Sequence, residues 1–322
     1  MTVPFRIEDL TTFAQFQQVE RLEADVWGPI DLVPVPIMAV TVRRGAVLLG
    51  AYDGDRLAGF VYSFPALRHD GRHNHEGAKA RRREGTTTES PLASHWSHTL
   101  GVHADYRGAG LGRELKLAQR ERVLALGLDL IEWTYDPLLA LNANLNIVAL
   151  GAVVEEYEEN VYGESVSPLH GGLPTDRFVC QWWIRRPHVE RRIRRQVGRV
   201  GQVGQVDRVD RVDRVDQVGE IRLVAHEVSN APVVNDTTFD GTWLDCGPPD
   251  LTRTEPRIAV DIPIDFAGML IGDLARARRW RFHLREIFTH YFHAGYRVVD
   301  FTLHREHHRG RYLLTSIRPP ID

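Results

Sequence analysis

A glycine-rich stretch between an apolar strand and an amphipathic helix constrains this chain more than any other feature. It reads LGVHADYRGAGLG from Leu100 to Gly112, and the helix begins near Leu111. Glycine lets the backbone adopt positive φ and approach a ligand closely. The first N–H groups of a helix lack intrahelical partners and lie at the positive end of its dipole. Such a turn is suited to binding a phosphate or pyrophosphate.

Residue spacing excludes two common phosphate motifs. A dinucleotide fingerprint needs G-x-G-x-x-G; Gly108 and Gly110 fit its start, but the third glycine position is Arg113. The P-loop pattern G-x-x-x-x-G-K-[ST] does not occur in the sequence. What remains is R-x-x-G-x-G, formed by Arg107, Gly110 and Gly112.

Hydrophobic periodicity predicts an α/β chain in which helices and strands alternate. The helices are expected over 11–27, 111–126, 142–150 and 275–294. The strands are expected over 46–51, 57–64, 97–102, 128–135, 153–162, 178–184, 258–264, 296–303 and 312–317.

Composition is that of an ordinary globular protein. The chain has 322 residues, a length that favours two domains, and a formal net charge of −3, which counts against nucleic acid as a partner. No apolar run approaches a membrane span, and the N-terminus does not resemble a secretory signal. Two cysteines make neither a disulfide framework nor a four-cysteine zinc site. We therefore expect a cytoplasmic protein without membrane association.

Two segments depart from this pattern. Residues 196–219 are eight triplets of the form (Gln/Arg)-Val-(Gly/Asp), whose period of three matches neither helix nor strand. Together with the basic residues upstream they are predicted to be a linker over 187–219, the alternative being a binding arm. Residues 69–91 are poor in apolar residues and predict a long exposed loop. His69, His73, His75 and Glu76 lie there, but without a rigid element we expect no metal site.

The R-x-x-G-x-G loop, set between strand and helix, resembles the acyl-CoA-binding motif of the GNAT superfamily of N-acyltransferases. The resemblance covers about residues 1–186 and implies a mixed, splayed β-sheet flanked by helices. Further segments resemble a little-characterised GNAT group with an additional C-terminal region: SHTLGV at 97–102, WTYDPL at 133–138, NAxxN at 142–146, LPTDR at 173–177 and GYRVV at 295–299. Residues 220–322 are then expected to form a smaller α/β unit that completes the sheet, shapes the acceptor pocket or mediates homodimer contact.

The resemblance implies which residues bind acetyl-CoA or another acyl-CoA as co-substrate. The backbone of Leu100, Gly101 and Val102 would bond the pantetheine, and Arg107 would close the loop. Asn142 and Asn146, four residues apart on one predicted helical face, would bond the CoA arm or the substrate, or serve as caps or polar surface. The pyrophosphate would be bound by the amides of Gly108, Ala109, Gly110, Leu111, Gly112 and Arg113.

The resemblance also implies direct attack of a neutral amine on the thioester, which needs a proton acceptor and a proton donor. His98 is the first candidate base: strand alternation places it on the same face as Val102, unless a β-bulge intervenes. A structural histidine bonded to backbone is the equal alternative, and His95 is a neighbouring candidate. Many family members protonate the thiolate with a tyrosine at the position of Ile147 here. Tyr135 or a water would substitute, unless Tyr135 only packs.

Asp136 precedes Pro137 and would bind a substrate ammonium group or cap the following helix. The function expected from the resemblance is acyl-CoA-dependent N-acylation of a small-molecule primary amine, with an acetyl or succinyl donor and an amino acid among the candidate acceptors. The alternative is a non-catalytic acyl-CoA sensor or partner-binding module, which the missing helix tyrosine favours. Nucleic-acid binding through basic patches is a third, weaker hypothesis.

Overall fold

A computed structural model describes residues 5–30, 32–68, 91–163, 171–200 and 231–317, and of residues 195–200 it describes the backbone only. The chain divides into two compact units, Met1–Trp133 and Thr134–Asp322. This division differs from the boundary expected near residue 186. The predicted loop up to residue 90, its histidine cluster and the triplets beyond residue 200 lie outside the described residues.

The first unit is built on a mixed sheet. Its strands are β1 (Arg6–Asp9), β2 (Val47–Asp53), β3 (Arg56–Arg68), β4 (Leu92–Val102) and the first part of β5 (Leu130–Tyr135), paired in that order. Neighbours from β1 to β4 are antiparallel, whereas β4 and β5 run parallel. Parallel strands need a crossover, and α3 (Leu111–Ala125) provides it.

Helices cover both faces of this sheet. On one face lie α1 (Phe13–Trp27), which starts at a Thr12 capping box, and α2 (Val35–Val42). Their apolar residues join the inward side chains of β2 and β3 in one core. On the other face lies α3: a Cβ at Gly59 would meet Leu111 and Leu115 at 3.2 Å.

The second unit begins with α4 (Ala140–Ala143), which continues as a π-helical segment, Asn144–Ala149. It also contains β6 (Val153–Glu158), β7 (Arg177–Trp183), α5 (Pro187–Val200), β8 (Asn235–Phe239), β9 (Leu244–Pro249), β10 (Arg257–Pro263), α6 (Phe266–Gly272), α7 (Leu274–His293), β11 (Arg297–His304) and β12 (Arg309–Thr315). Strands β7-β6-β11-β12-β10 pair in that order, all antiparallel; β8 and β9 form a separate ribbon.

Strands β11, β12 and β10 extend a sheet that starts before residue 186, because β11 pairs with β6 at Val298 and Val154. Helix α7 covers one face with aromatic side chains: Phe288 lies 4.6 Å from Phe178 and 5.8 Å from Tyr312, centroid to centroid. Such pairs bury large apolar areas in preferred geometries. These elements confirm the predicted fold class, a mixed sheet flanked by helices with an additional C-terminal α/β part.

The basic segment from residue 187 begins as a helix rather than as solvated linker. In α5, Arg192 donates to the carbonyls of Ile147 and Val148 at 2.8 and 3.3 Å, and it pairs with Asp300 at 3.3 Å. These two carbonyls lie near the end of the π-helical segment, where backbone carbonyls have no hydrogen-bond partner within the helix. No described helix is long and apolar enough to cross a membrane.

Candidate active site

The two parallel strands of the first unit separate soon after they meet. Their recorded pairs are His95 with Ile131 and Trp96 with Glu132, and the described part of this unit shows no later pair between them. Beyond Trp96, the edge of β4 that faced β5 therefore keeps its backbone hydrogen-bonding groups available. An extended ligand chain bonds to such an edge as an added strand would.

The glycine loop follows directly at the end of β4. A short 3₁₀ turn, Ala104–Tyr106, is capped by His103, and the Nε of Arg107 donates to the carbonyl of Val102 at 3.2 Å. Arg107 thus closes the loop onto the strand. Gly108 and Gly110 adopt φ of +82° and +83°, and a Cβ at either would meet nothing within 4 Å. Both glycines are conformationally required, and open space lies beside them.

Helix α3 starts at this loop with Gly110 as its N-cap. Its first recorded backbone bond is from the Arg113 N–H to the Gly110 carbonyl, 3.0 Å. The amides of Gly108, Ala109, Gly110, Leu111 and Gly112 precede that bond. Buried Leu111 anchors the first turn, while residues 107–110 are exposed. Exposed amides at a positive helix end, beside open space, fit the predicted pyrophosphate site.

His98 is the extra residue of a β-bulge, and the expectation that it shares a face with Val102 is wrong. Tyr62 pairs with Thr99 and Ser63 with Ser97, which leaves His98 without a cross-strand partner. Val102 pairs with Gly59 on the face toward α3, whereas the His98 ring lies 6.1 Å from the Tyr62 ring on the face of α1 and α2. A bulge re-aims a side chain because it adds one residue to a period of two.

The environment of His98 leaves its imidazole neutral near pH 7. The ring lies 5.7 Å from that of Phe64 and remains exposed. Nearby apolar atoms lower its pKa through partial burial. His95, by contrast, is fully buried, and its Nε2 lies 3.2 Å from the Gly45 carbonyl. Its contacts are those of a structural histidine.

Tyr135 and Asp136 lie in the second unit and are both buried. The Tyr135 hydroxyl is 3.3 Å from that of Tyr312, which donates to the Pro137 carbonyl at 2.8 Å. Burial raises the pKa of Tyr135 well above its usual value, so the phenol stays protonated. Burial also tends to raise the pKa of Asp136, but the guanidinium of Arg281 outweighs it and holds that pKa below its ordinary range.

The Asp136 carboxylate is already occupied by donors. Both its oxygens accept from Arg281, and the Leu138 amide donates to one of them at 2.9 Å. Arg177 lies 3.7 Å away. In this arrangement Asp136 has the partners of a structural ion pair, and binding a substrate ammonium group would require it to exchange them.

Asn142 and Asn146 do not share an environment. Asn142 is exposed, whereas Asn146 is 4% exposed. The reason is the π-helical segment, in which the Leu150 amide donates to the Leu145 carbonyl at 3.0 Å. This widens the turn, so that residues four apart no longer align. Ile147 is fully buried.

Glu23 is a buried acid that the helical pattern of α1 did not single out. It is 1% exposed, and it accepts from the amide of Val33, in the segment between α1 and α2, at 3.1 Å. Burial raises its pKa from 4.5 to about 7, partly offset by the Val33 hydrogen bond. An acidic residue among Val19, Leu22 and Val26 on the apolar face is the sequence signal that would have identified it.

Comparisons with known proteins found similarity to solved structures only. No family model and no curated protein matches the sequence. NAA60 of Arabidopsis thaliana with acetyl-CoA is 13% identical, covers 56% of this chain and 99% of its own, and gives a TM-score of 0.42. The ribosomal-protein-S18-alanine N-acetyltransferase of Escherichia coli is 13% identical, covers 55% and 92%, and gives 0.39. The acetyltransferase yncA of Salmonella typhimurium with acetyl-CoA is 16% identical, covers 57% and 97%, and gives 0.39.

Proposed function

We propose that this chain is an acyl-CoA-dependent N-acyltransferase that transfers an acetyl or succinyl group to a small-molecule primary amine, an amino acid among the candidates. One observation carries the proposal: β4 leaves β5 after two residue pairs and runs into a loop of exposed amides at the start of α3. The strand edge suits the amide-containing pantetheine arm, and the loop suits the pyrophosphate. The acyl-CoA supplies an activated thioester.

His98 is the proposed proton acceptor. Its exposed imidazole lies on the bulge of β4, two residues before Leu100, where the segment that would bind the pantetheine begins. Because its pKa lies below the ordinary value, the ring is neutral and accepts a proton from the amine at pH 7. The bulge gives the ring a direction that regular strand geometry would not.

Tyr135 is proposed to keep the proton-donor role. Its protonated hydroxyl, next to that of Tyr312, forms a short chain that ends on the Pro137 carbonyl. Asp136 is proposed to position this chain through its ion pair with Arg281. Asn142, exposed on α4, is the better placed of the two asparagines for contact with a ligand.

Calorimetric titration with CoA, acetyl-CoA and succinyl-CoA tests the proposal. Gly110→Trp fills the open space beside the loop and should abolish binding. Gly127→Trp is the matched control: Gly127 lies at the other end of α3, has φ +80° and also has open space around its Cβ position. Both substitutions impose the same backbone strain, so a loss confined to Gly110→Trp assigns the CoA site to the loop.

Binding without turnover would favour the alternative, an acyl-CoA sensor. The discriminating measurement is amine-dependent release of free CoA thiol across a panel of amino acids and polyamines. The acyl-CoA that binds more tightly in the titration is used as the acyl donor for this panel. Absence of binding by all three CoA species would refute both functions.

A further inference from the structure

A second polar site lies on the sheet of the second unit, far along the chain from the glycine loop. Side chains at the β11–β12 hairpin line an open cleft of about 320 Å³: His304, His307, Arg309 and Arg311. Arg309 and Arg311 are two residues apart on β12 and share the face opposite Tyr312, whose ring packs against α7. Their cross-strand partners on β11 are His304 and Thr302.

A buried carboxylate orients both arginines. Asp261, on the neighbouring β10, is 1% exposed and accepts from Arg311 at 2.6 and 2.9 Å and from Arg309 at 2.9 Å. Asn235, also 1% exposed, fixes the backbone of Asp261 through two 2.9 Å hydrogen bonds. The guanidinium planes are therefore held before any ligand arrives, which lowers the entropic cost of binding.

The arginines retain unused donors and one uncompensated charge. Among the described residues, Nη2 of Arg309 and Nη1 of Arg311 have no hydrogen-bond partner, and one aspartate balances two guanidiniums. Glu306 stands at the rim, 4.0 Å from His304 and 3.9 Å from His307, but it is 67% exposed and screened by water. Burial lowers the pKa of His304, and the positive charge of Arg311 lowers it further. The uncompensated guanidinium charge is what favours an added anion.

We propose that this cleft binds a phosphate group, free or carried as a monoester. A carboxylate offers two oxygens, whereas a phosphate offers enough to accept from Nη2 of Arg309, Nη1 of Arg311 and two imidazoles at once. The His304 ring is held in place by the Thr302 hydroxyl, 2.9 Å from its Nε2. None of the lining residues belongs to the glycine loop, and the proposal does not rest on the proposed acyl transfer.

Titration of the full chain with inorganic phosphate at constant ionic strength, followed by NMR of the histidine rings, tests the proposal. Loss of the His304 signal in His304→Gln assigns that ring. Phosphate should raise the pKa of His304 by about one unit, because a dianion favours the charged imidazole. Arg309→Gln should weaken phosphate binding about tenfold or more, the loss of a charge-assisted hydrogen bond. Arg311 remains there to pair with Asp261.

Controls separate this site from other sources of phosphate binding. Arg279→Gln removes an equal charge from an arginine that also bonds an aspartate, Asp245 at 2.9 and 3.1 Å, and should leave binding unchanged. Gly110→Trp should also leave the His304 response intact. Tighter binding of glycerol phosphate than of inorganic phosphate would identify a monoester, and tighter binding of inorganic phosphate would identify the free ion. An unmoved His304 pKa, or equal weakening by Arg279→Gln, would overturn the proposal.

Discussion

Replacing the buried Glu23 with glutamine should change the pH dependence of folding stability. The side chain is 1% exposed, and its pKa is raised from 4.5 to about 7. Glutamine has nearly the same shape, and its amide oxygen still accepts from the Val33 amide. The substitution therefore removes the titration while keeping the hydrogen bond that ties α1 to the segment before α2.

The sign of the change in stability with pH follows from the pH range in which the native state binds more protons than the unfolded state. Below pH 4.5 the carboxyl is protonated in both states and contributes no pH dependence. Between 4.5 and about 7 the native state binds the extra proton, so stability falls as pH rises. Above about 7 the full cost of burying the charge is present. The difference between pKa values of 4.5 and about 7 corresponds to a loss of about 3 kcal/mol of folding stability.

Urea unfolding from pH 4.5 to 8.5 measures the effect. Glu23→Gln should gain about 3 kcal/mol on the wild type as pH rises across this range, with any fixed cost of burying the amide shifting the whole curve equally. Asp25→Asn, an exposed carboxyl on the same helix, is the control and should not reproduce that slope. A stability difference between variant and wild type that stays constant with pH would show that Glu23 does not have a raised pKa in the folded protein.

Three further predictions concern the same two units. Gly101→Ala should lose about 1–3 kcal/mol of stability by urea unfolding, because its Cβ would lie 2.6 Å from Cε1 of Phe60; an unchanged midpoint would contradict this close approach. His98→Ala should bind acetyl-CoA normally but lose turnover, and the wild-type rate should rise with pH through a pKa below 6.5; full turnover in the variant would remove His98 from the mechanism. Arg281→Met should lower folding stability by about 3–5 kcal/mol, because Asp136 is left buried without its main counter-ion. Thermal unfolding measures this loss, and an unchanged midpoint would contradict it.

The sequence predicted the elements whose side-chain period is regular. Helix α1 begins and ends within two residues of the predicted range, and both strands of the final hairpin form as expected. Helix α2 was not predicted, because VPIMAVTV is apolar on nearly every side and shows no helical stripe. The sequence predicts a linker at the start of α5, because a basic composition does not indicate that Arg192 contacts a helix end.

The glycine loop was predictable because it depends on local conformation alone. Its positive φ values at Gly108 and Gly110 follow from residue type and from the adjoining helix start. The orientation of His98 was not, since a bulge depends on the register between two strands. The partners of Asp136 were hidden for a similar reason: Arg281 is 145 residues away in sequence. Long-range packing, rather than any motif, decides what those side chains do.

Amine-dependent thiol release from acetyl-CoA or succinyl-CoA, compared in wild type, Gly110→Trp and Gly127→Trp, decides whether this chain is an acyltransferase that binds CoA at the glycine loop. The structure predicts release in the wild type and in Gly127→Trp and none in Gly110→Trp, because only Gly110 lies at the amide-rich start of α3. Equal release by both variants would contradict the assignment of the CoA site to this loop. If the wild type releases no thiol in response to any amine, the proposed acyltransferase activity is wrong.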